Sequence, residues 1–186
     1  MRAIVLIQPR EGVYNRFYAW IPLSLVSISS RLFQEGYKIF ILDQRLDPSW
    51  RKTLRRYLRE EPVCVGITSM TGSQILSALE ASQIVKEHGK CPVVWGGVHA
   101  TLFPSQTLND RRIDIVVRGE GERTFYDLVK SLEDGKPLDG ISGISYRRDG
   151  AYIETPDRPF ISMDDIPPMD YDMVDIEEYL HPVSYT

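Results

Sequence analysis

Short apolar runs of strand length alternate with helix-length segments along the first two-thirds of this chain. Ala3–Gln8 (AIVLIQ), Lys38–Asp43 (KIFILD), Val63–Thr68 (VCVGIT), Pro92–Trp95 (PVVW) and Ile113–Arg118 (IDIVVR) are the strand candidates. Most are apolar at consecutive positions, the pattern of strands buried on both faces. Between them lie a segment from Pro22 through Phe33 stopped by Gly36, the basic stretch Pro48–Arg59, and Gln74–His88 stopped by Gly89. A further helix follows the fifth strand, running through Leu132 to Gly135. Proline suits a helix start and glycine a helix end. Strands separated by helices predict an α/β fold with a doubly wound, five-stranded parallel sheet in the flavodoxin-like order 2-1-3-4-5.

The pattern then changes. Ile141–Thr155 alternates apolar and polar residues around Asp149-Gly150, which predicts a β-hairpin. From Pro156 the chain is rich in proline and aspartate and reads as an extended linker lying on a surface. The division predicted is residues 1–137 as the main domain, 138–160 as a hairpin appendage and 161–186 as a linker toward a further domain. The chain's 186 residues suit one domain of this kind.

Composition narrows the function classes. The net charge is −4, so no basic face for nucleic acid is expected. Arg51, Lys52, Arg55, Arg56 and Arg59 read as the solvated side of a short helix. No apolar run approaches the roughly 20 residues of a membrane span. The start, MRAIVLIQPR, lacks the features of a signal peptide. The two cysteines, Cys64 and Cys91, are expected as buried thiols in a reducing, cytoplasmic setting. Two cysteines cannot hold an iron–sulfur cluster or a tetrahedral cysteine site.

Open parallel sheets bind ligands beyond the carboxyl ends of their strands. There the sequence places Gln8-Pro9-Arg10, then Asp43, then Ser69-Met70-Thr71-Gly72-Ser73, then Gly96-Gly97-Val98-His99, then Gly119-Glu120-Gly121-Glu122. Gly96-Gly97 reads either as a tight turn or as a close approach to a large flat ligand. The Ser69–Ser73 loop reads as helix capping by Thr71 or Ser73, or as a phosphate or ribose loop. Gly119–Glu122 is not a dinucleotide fingerprint, because G-x-G-x-x-G fails at Thr124. It reads as a turn into a helix or as a cofactor rim. His99 reads as a locally bonded histidine or as a ligand, and His88 and His181 as incidental. No catalytic constellation and no metal-ligand set emerges from the spacing. A receiver domain would need an aspartate where Thr68 stands. A flavodoxin would need a hydroxyl-rich loop where Pro9–Asn15 stands.

Several pieces in order carry a resemblance. They are Pro22-Leu23-Ser24-Leu25, Gly36-Tyr37, Asp43, Val65–Ser69, Trp95–Thr101, Asp114–Glu122 and Asp165–Tyr171. Together they resemble the N-terminal cobalamin-binding domains of radical S-adenosylmethionine (radical SAM) proteins. That group includes cobalamin-dependent methyltransferases and anaerobic magnesium-protoporphyrin ester cyclases. The resemblance implies a corrinoid partner held by Gln8, Pro9, Arg10, Asp43, Thr68, Ser69, Met70, Thr71, Gly96, Gly97, Val98, His99, Gly119, Glu120 and Gly121. It implies that the iron–sulfur cluster and S-adenosylmethionine belong to a C-terminal radical SAM domain in the parent chain. It also implies cobalamin without a histidine ligand, since the D-x-H-x-x-G motif of mutase-type domains is missing from Gln8–Arg16. The alternative is a scaffold domain of the same fold that binds no cofactor and docks a substrate or the catalytic barrel.

Overall fold

The computed structural model describes residues 2–12 and 19–180. Five parallel strands form the centre: β1 (Ala3–Gln8), β2 (Lys38–Asp43), β3 (Val65–Thr68), β4 (Val93–Gly96) and β5 (Ile115–Val117). Their order is β2-β1-β3-β4-β5, as the sequence predicts. The hairpin is β6 (Ile144–Arg148) and β7 (Ala151–Glu154). It is no separate flap: β6 pairs antiparallel with β5, so the sheet has seven continuous strands. Asp149 (φ 51°) and Gly150 (φ 81°) make the turn, both in the left-handed region that a two-residue hairpin requires.

The helices are α1 (Leu23–Gln34), α2 (Trp50–Leu58), α3 (Gln74–His88), α4 (Val98–Leu102), α5 (Pro104–Leu108) and α6 (Gly121–Asp134). The α1 helix stops where Gly36 turns to φ 87° and the Tyr37 N–H reaches back to the Leu32 carbonyl. The α6 helix stops the same way at Gly135, with Lys136 N–H on the Ser131 carbonyl. Both are glycine-terminated Schellman ends. The basic residues of α2 lie on its outer face while Trp50, Leu54 and Leu58 are buried. Two elements were not expected. The short α4 and α5 occupy a stretch that reads as loop, because five residues are too few to show a helical period and Pro104 separates them.

The strand residues alternate between two cores. Val5, Ile7, Val65, Ile67, Val93, Trp95 and Val116 pack against α2, α3 and the α4–α5 pair. Ile4, Leu6, Val94, Ile115 and Val117 pack against α1 and α6. Each such side chain contributes about 1.5–3 kcal/mol when fully buried. Gly66 is a mid-strand position without a side chain to pack. A Cβ there would lie 2.7 Å from Leu6 Cδ2, so glycine is what lets Leu6 fill the α1/α6 core.

After β7 the chain runs as a strap across α1. Its single-turn helical pieces at Met163–Asp165, Tyr171–Met173 and Ile176–Tyr179 are capped by the side chains of Ser162, Asp170 and Asp175. The Asp170 N–H bonds Ser30 Oγ at 3.0 Å, and Gln34 Nε2 donates to the Pro168 carbonyl. Ser29 and Ser30 are wholly buried beside it. The strap ends with Tyr179 donating to Asp43 Oδ2 at the carboxyl end of β2.

Candidate functional site at the carboxyl edge of the sheet

A cavity of about 240 Å³ opens at the carboxyl ends of β3, β4 and β5, on the side of α1 and α6. Its walls are mainly apolar: Leu25 and Ile28 from α1, Ile67, Val94 and Val117 from the sheet, and Phe125 from α6. Polar groups reach it from Ser24, Thr68, Glu120 and Glu122. Backbone lines the rest, at Gly66, Gly96, Gly97, Gly119 and Gly121.

The glycines have different reasons to be there. Gly97 has φ 88° and ψ −177°, a region open to glycine alone. A Cβ there would sit 2.8 Å from the Ser69 carbonyl and 2.8 Å from Thr68 Oγ1. Gly97 therefore allows the β3 and β4 ends to close on each other, which is the tight-turn reading. Gly96 is unlike it. A Cβ there meets nothing nearer than Val117 O at 3.8 Å, so its missing side chain leaves room in the cavity. A Cβ at Gly119 (φ 70°) would meet nothing within 4 Å, and one at Gly121 would face Ile28.

The β3–α3 loop is not held by the side-chain capping that the sequence suggests. Neither Thr71 nor Ser73 caps α3. Gln74 Oε1 accepts the Met70 N–H at 2.7 Å, and its Nε2 reaches the Pro9 carbonyl. Thr71 Oγ1 instead pairs with His99 Nδ1 at 3.1 Å, while the His99 N–H donates to the Ser69 carbonyl. His99 is buried on α4 and stacks at a tilt on Phe103. Its Nδ1 thus serves a local bond. Ser69 Oγ donates to the Gly96 carbonyl. Val98 and Met70 are exposed at the rim, with Leu102 and Phe103 beside them. Gly119 N–H donates to Thr101 Oγ1, Glu120 accepts the Ile161 N–H of the strap, and Glu122 accepts from Ser27.

Of the fifteen residues singled out, Thr68, Gly96, Gly97, Gly119, Glu120 and Gly121 line this cavity. Ser69, Met70 and Thr71 form the adjoining β3–α3 loop, and Val98 and His99 open α4. Gln8, Pro9, Arg10 and Asp43 lie apart, at the ends of β1 and β2. Asp43 is engaged by Arg45 at 2.6 Å and by Tyr179. The remainder of the β1–α1 loop, Val13 to Tyr18, and His181 lie outside the described residues. Sequence reasoning missed the α1 and α6 walls, Ser24, Leu25, Ile28 and Phe125. The mid-strand Gly66 was a visible signal of close approach. Among the described residues no group of three or more His, Cys, Asp or Glu is placed to hold a metal ion, and no helix is long and apolar enough to cross a membrane.

A doubly wound sheet with a glycine-floored cavity on its carboxyl edge defines the class: a cofactor-binding α/β domain. Residues 12–129 match the family described as the B12 binding domain, and the chain belongs to that family. It is 33% identical over 185 residues to an uncharacterized methyltransferase of Pyrococcus horikoshii, covering 96% of this chain and 40% of that protein. It is 28% identical to the anaerobic magnesium-protoporphyrin IX monomethyl ester cyclase of Synechocystis, covering 96% and 37%. The solved cobalamin-dependent S-adenosylmethionine radical enzyme OxsB with aqua-cobalamin bound superposes with a TM-score of 0.79 at 21% identity, over 96% of this chain and 25% of that one. The radical S-adenosylmethionine methyltransferase TsrM of Kitasatospora setae, with cobalamin and a [4Fe-4S] cluster bound, gives 0.74 at 21%, over 90% and 31%. The solved structures establish the shared fold. The chain spans no more than 40% of the length of any of these relatives.

Proposed function

We propose that this chain holds a corrinoid at the carboxyl edge of its sheet, with the base of the nucleotide tail in the cavity between β3–β5 and α1/α6. The observation that carries the reading is Gly96, whose absent side chain leaves open an apolar cavity where a flat ring can lie against backbone. The cavity fits the group: aromatic and aliphatic walls, one hydroxyl at Thr68 and one at Ser24 for polar contact. The exposed Met70, Val98, Leu102 and Phe103 offer an apolar rim for the corrin. A bound corrinoid supplies a cobalt centre able to accept a methyl group and pass it on. The protein's part is to bind, orient and shield. Gly97 and Ser69 fix the rim, the Thr71–His99 pair fixes the β3–α3 loop, and Leu25, Ile28 and Phe125 exclude water from the tail base. The Thr71 bond holds the His99 ring through Nδ1, so His99 acts on the rim as a support of the β3–α3 loop.

The parent is a longer cytoplasmic enzyme whose C-terminal radical SAM domain holds the iron–sulfur cluster and S-adenosylmethionine. Its relatives' greater length supports this. Residues 1–137 are the cofactor unit, 138–160 its hairpin edge, and 161–186 the segment leading toward that domain. Equilibrium dialysis of the chain with hydroxocobalamin tests the reading. Saturable binding that Gly96→Leu removes is the expected result. A folded chain that binds nothing would instead favour the scaffold reading, in which the same edge docks the catalytic barrel.

A further inference from the structure

The helices α1 and α6 face each other across the cavity, α1 giving Leu25 and Ile28 and α6 giving Phe125. Their separation at the mouth is fixed at two adjacent points. The first is Gly121, which opens α6 against Ile28. A Cβ there would lie 3.0 Å from Ile28 Cγ2, closer than side chains ordinarily pack. The Gly121 backbone has no positive φ, so this close approach is what calls for glycine. The second point is the next residue, Glu122, whose carboxylate accepts the Ser27 hydroxyl at 2.8 Å across 95 positions of chain. Ser27 and Ile28 are themselves neighbours, so the start of α6 is locked in register on α1.

Ser27 uses its hydroxyl differently from the other buried helix serines. A serine inside a helix tends to bond back to the carbonyl one turn earlier. Ser29 and Ser30 on α1 do so, to Leu25 and Val26, and Ser82 on α3 does so to Ala78. Ser27 is buried like them, yet its Oγ crosses to a carboxylate on another helix. Glu122 lines the cavity and Ser27 does not. At the far end the same two helices are tied independently. Tyr126 Oη donates to Glu35 at 2.8 Å, and Lys130 Nζ reaches Glu35 and the Tyr37 hydroxyl. Loss of the Ser27 bond therefore loosens the mouth without parting the helices.

We infer that Ser27 is a positioning residue for the cofactor: acting through Glu122, it sets the width of the cavity that takes the tail base. The inference rests on the corrinoid reading of that cavity. It gives the second carboxylate of Gly119-Glu120-Gly121-Glu122 a task within the protein frame, as the clasp that holds Phe125 of α6 at a fixed distance from Leu25 and Ile28 of α1.

Equilibrium dialysis of the full chain with two probes tests it: hydroxocobalamin, and cobinamide, which has the corrin ring but no nucleotide base. Ser27→Ala is expected to weaken hydroxocobalamin binding about tenfold, the scale of one charge-assisted hydrogen bond, and to leave cobinamide binding as in the parent. Ser27→Thr, which keeps the hydroxyl, restores the hydroxocobalamin affinity. Glu122→Ala weakens it as well, and adds nothing further in the Ser27→Ala background. NMR of the ligand-free chain gives a second readout. The nuclear Overhauser contact between an Ile28 methyl and Gly121 Hα, present in the parent, fades in Ser27→Ala, while Glu35 and Tyr126 keep their shifts. Equal weakening of both probes would make the serine a general stabiliser and overturn the inference. So would an unchanged hydroxocobalamin affinity, or an unchanged Overhauser contact, in Ser27→Ala. A parent chain that binds no hydroxocobalamin would instead overturn the corrinoid reading, and the positioning role with it.

Discussion

His99 Nδ1 lies 3.1 Å from Thr71 Oγ1, so one short bond ties the helix after β4 to the loop after β3 across the edge of the sheet. That bond takes up Nδ1 and leaves Nε2 as the ring nitrogen that spectroscopy must test. Electron paramagnetic resonance of the chain with cob(II)alamin should show cobalt lines without splitting by a ligand nitrogen. The His99→Ala variant should give the same spectrum while losing about 1 kcal/mol of stability from the broken bond. Nitrogen splitting that vanishes in His99→Ala would make the histidine a ligand and sink the expectation.

The two adjacent glycines should respond oppositely. Gly97→Ala forces a Cβ against the Ser69 backbone at a positive φ and should cost about 1–3 kcal/mol in thermal denaturation. Gly96→Leu meets no close neighbour, so its folding free energy should stay within about 1 kcal/mol of the parent. Dialysis should nevertheless show corrinoid binding lost in Gly96→Leu. A stable Gly97→Ala protein, or a Gly96→Leu protein that still binds, would reverse these roles.

Burial, with the Asp43 carboxylate beside it, pushes the Tyr179 hydroxyl above the ordinary phenol range. A group whose folded pKa is raised contributes its full stability below the unfolded pKa and loses it as pH rises beyond. The strap's attachment is therefore intact at neutral pH and should weaken above about pH 10. Hydrogen exchange at the Asp170 amide, which bonds Ser30, reports it. Exchange should accelerate steeply past that pH in the parent. In Tyr179→Phe it should be faster at neutral pH, by the loss of about 1 kcal/mol, and without the alkaline step.

Burial likewise raises both thiols. Cys91 is pushed up to about 11 and the fully buried Cys64 higher still. The thiolate is the reactive form, so both should resist alkylation at neutral pH until the chain is unfolded. Iron and sulfide added anaerobically should leave the chain without a cluster chromophore, since no third cysteine is present. Rapid labelling of Cys91 in the folded chain would contradict its placement.

The central sheet was legible because its signals are local. Apolar runs such as AIVLIQ and glycine stops such as Gly36 and Gly135 report on the residues that carry them. Convergence on one edge followed from the order of strands. What the sequence withheld was the assignment of individual residues within that edge. Asp43 and Gly96 both follow the edge rule, yet one is taken up by Arg45 and Tyr179 while the other opens a cavity. Those differences depend on Tyr179, more than a hundred positions away, as well as on nearby Arg45 in the first case, and on the β5 backbone in the second. The serines of α1 were equally opaque. Ser29 and Ser30 look like solvated positions until the strap is laid over them.

The antiparallel docking of β6 also settles where the sheet can meet a neighbour. The three-residue β5 becomes an inner strand, and the margin passes to β7, four residues long, carrying Glu154 and followed by Pro156, which has no N–H to give. At the other margin the strap turn Tyr171–Met173 packs beside β2. Neither side offers a long, bare ladder on which a second molecule could add its own strands, so concentrated solutions of the domain should stay free of strand-stacked aggregates for as long as the strap is in place.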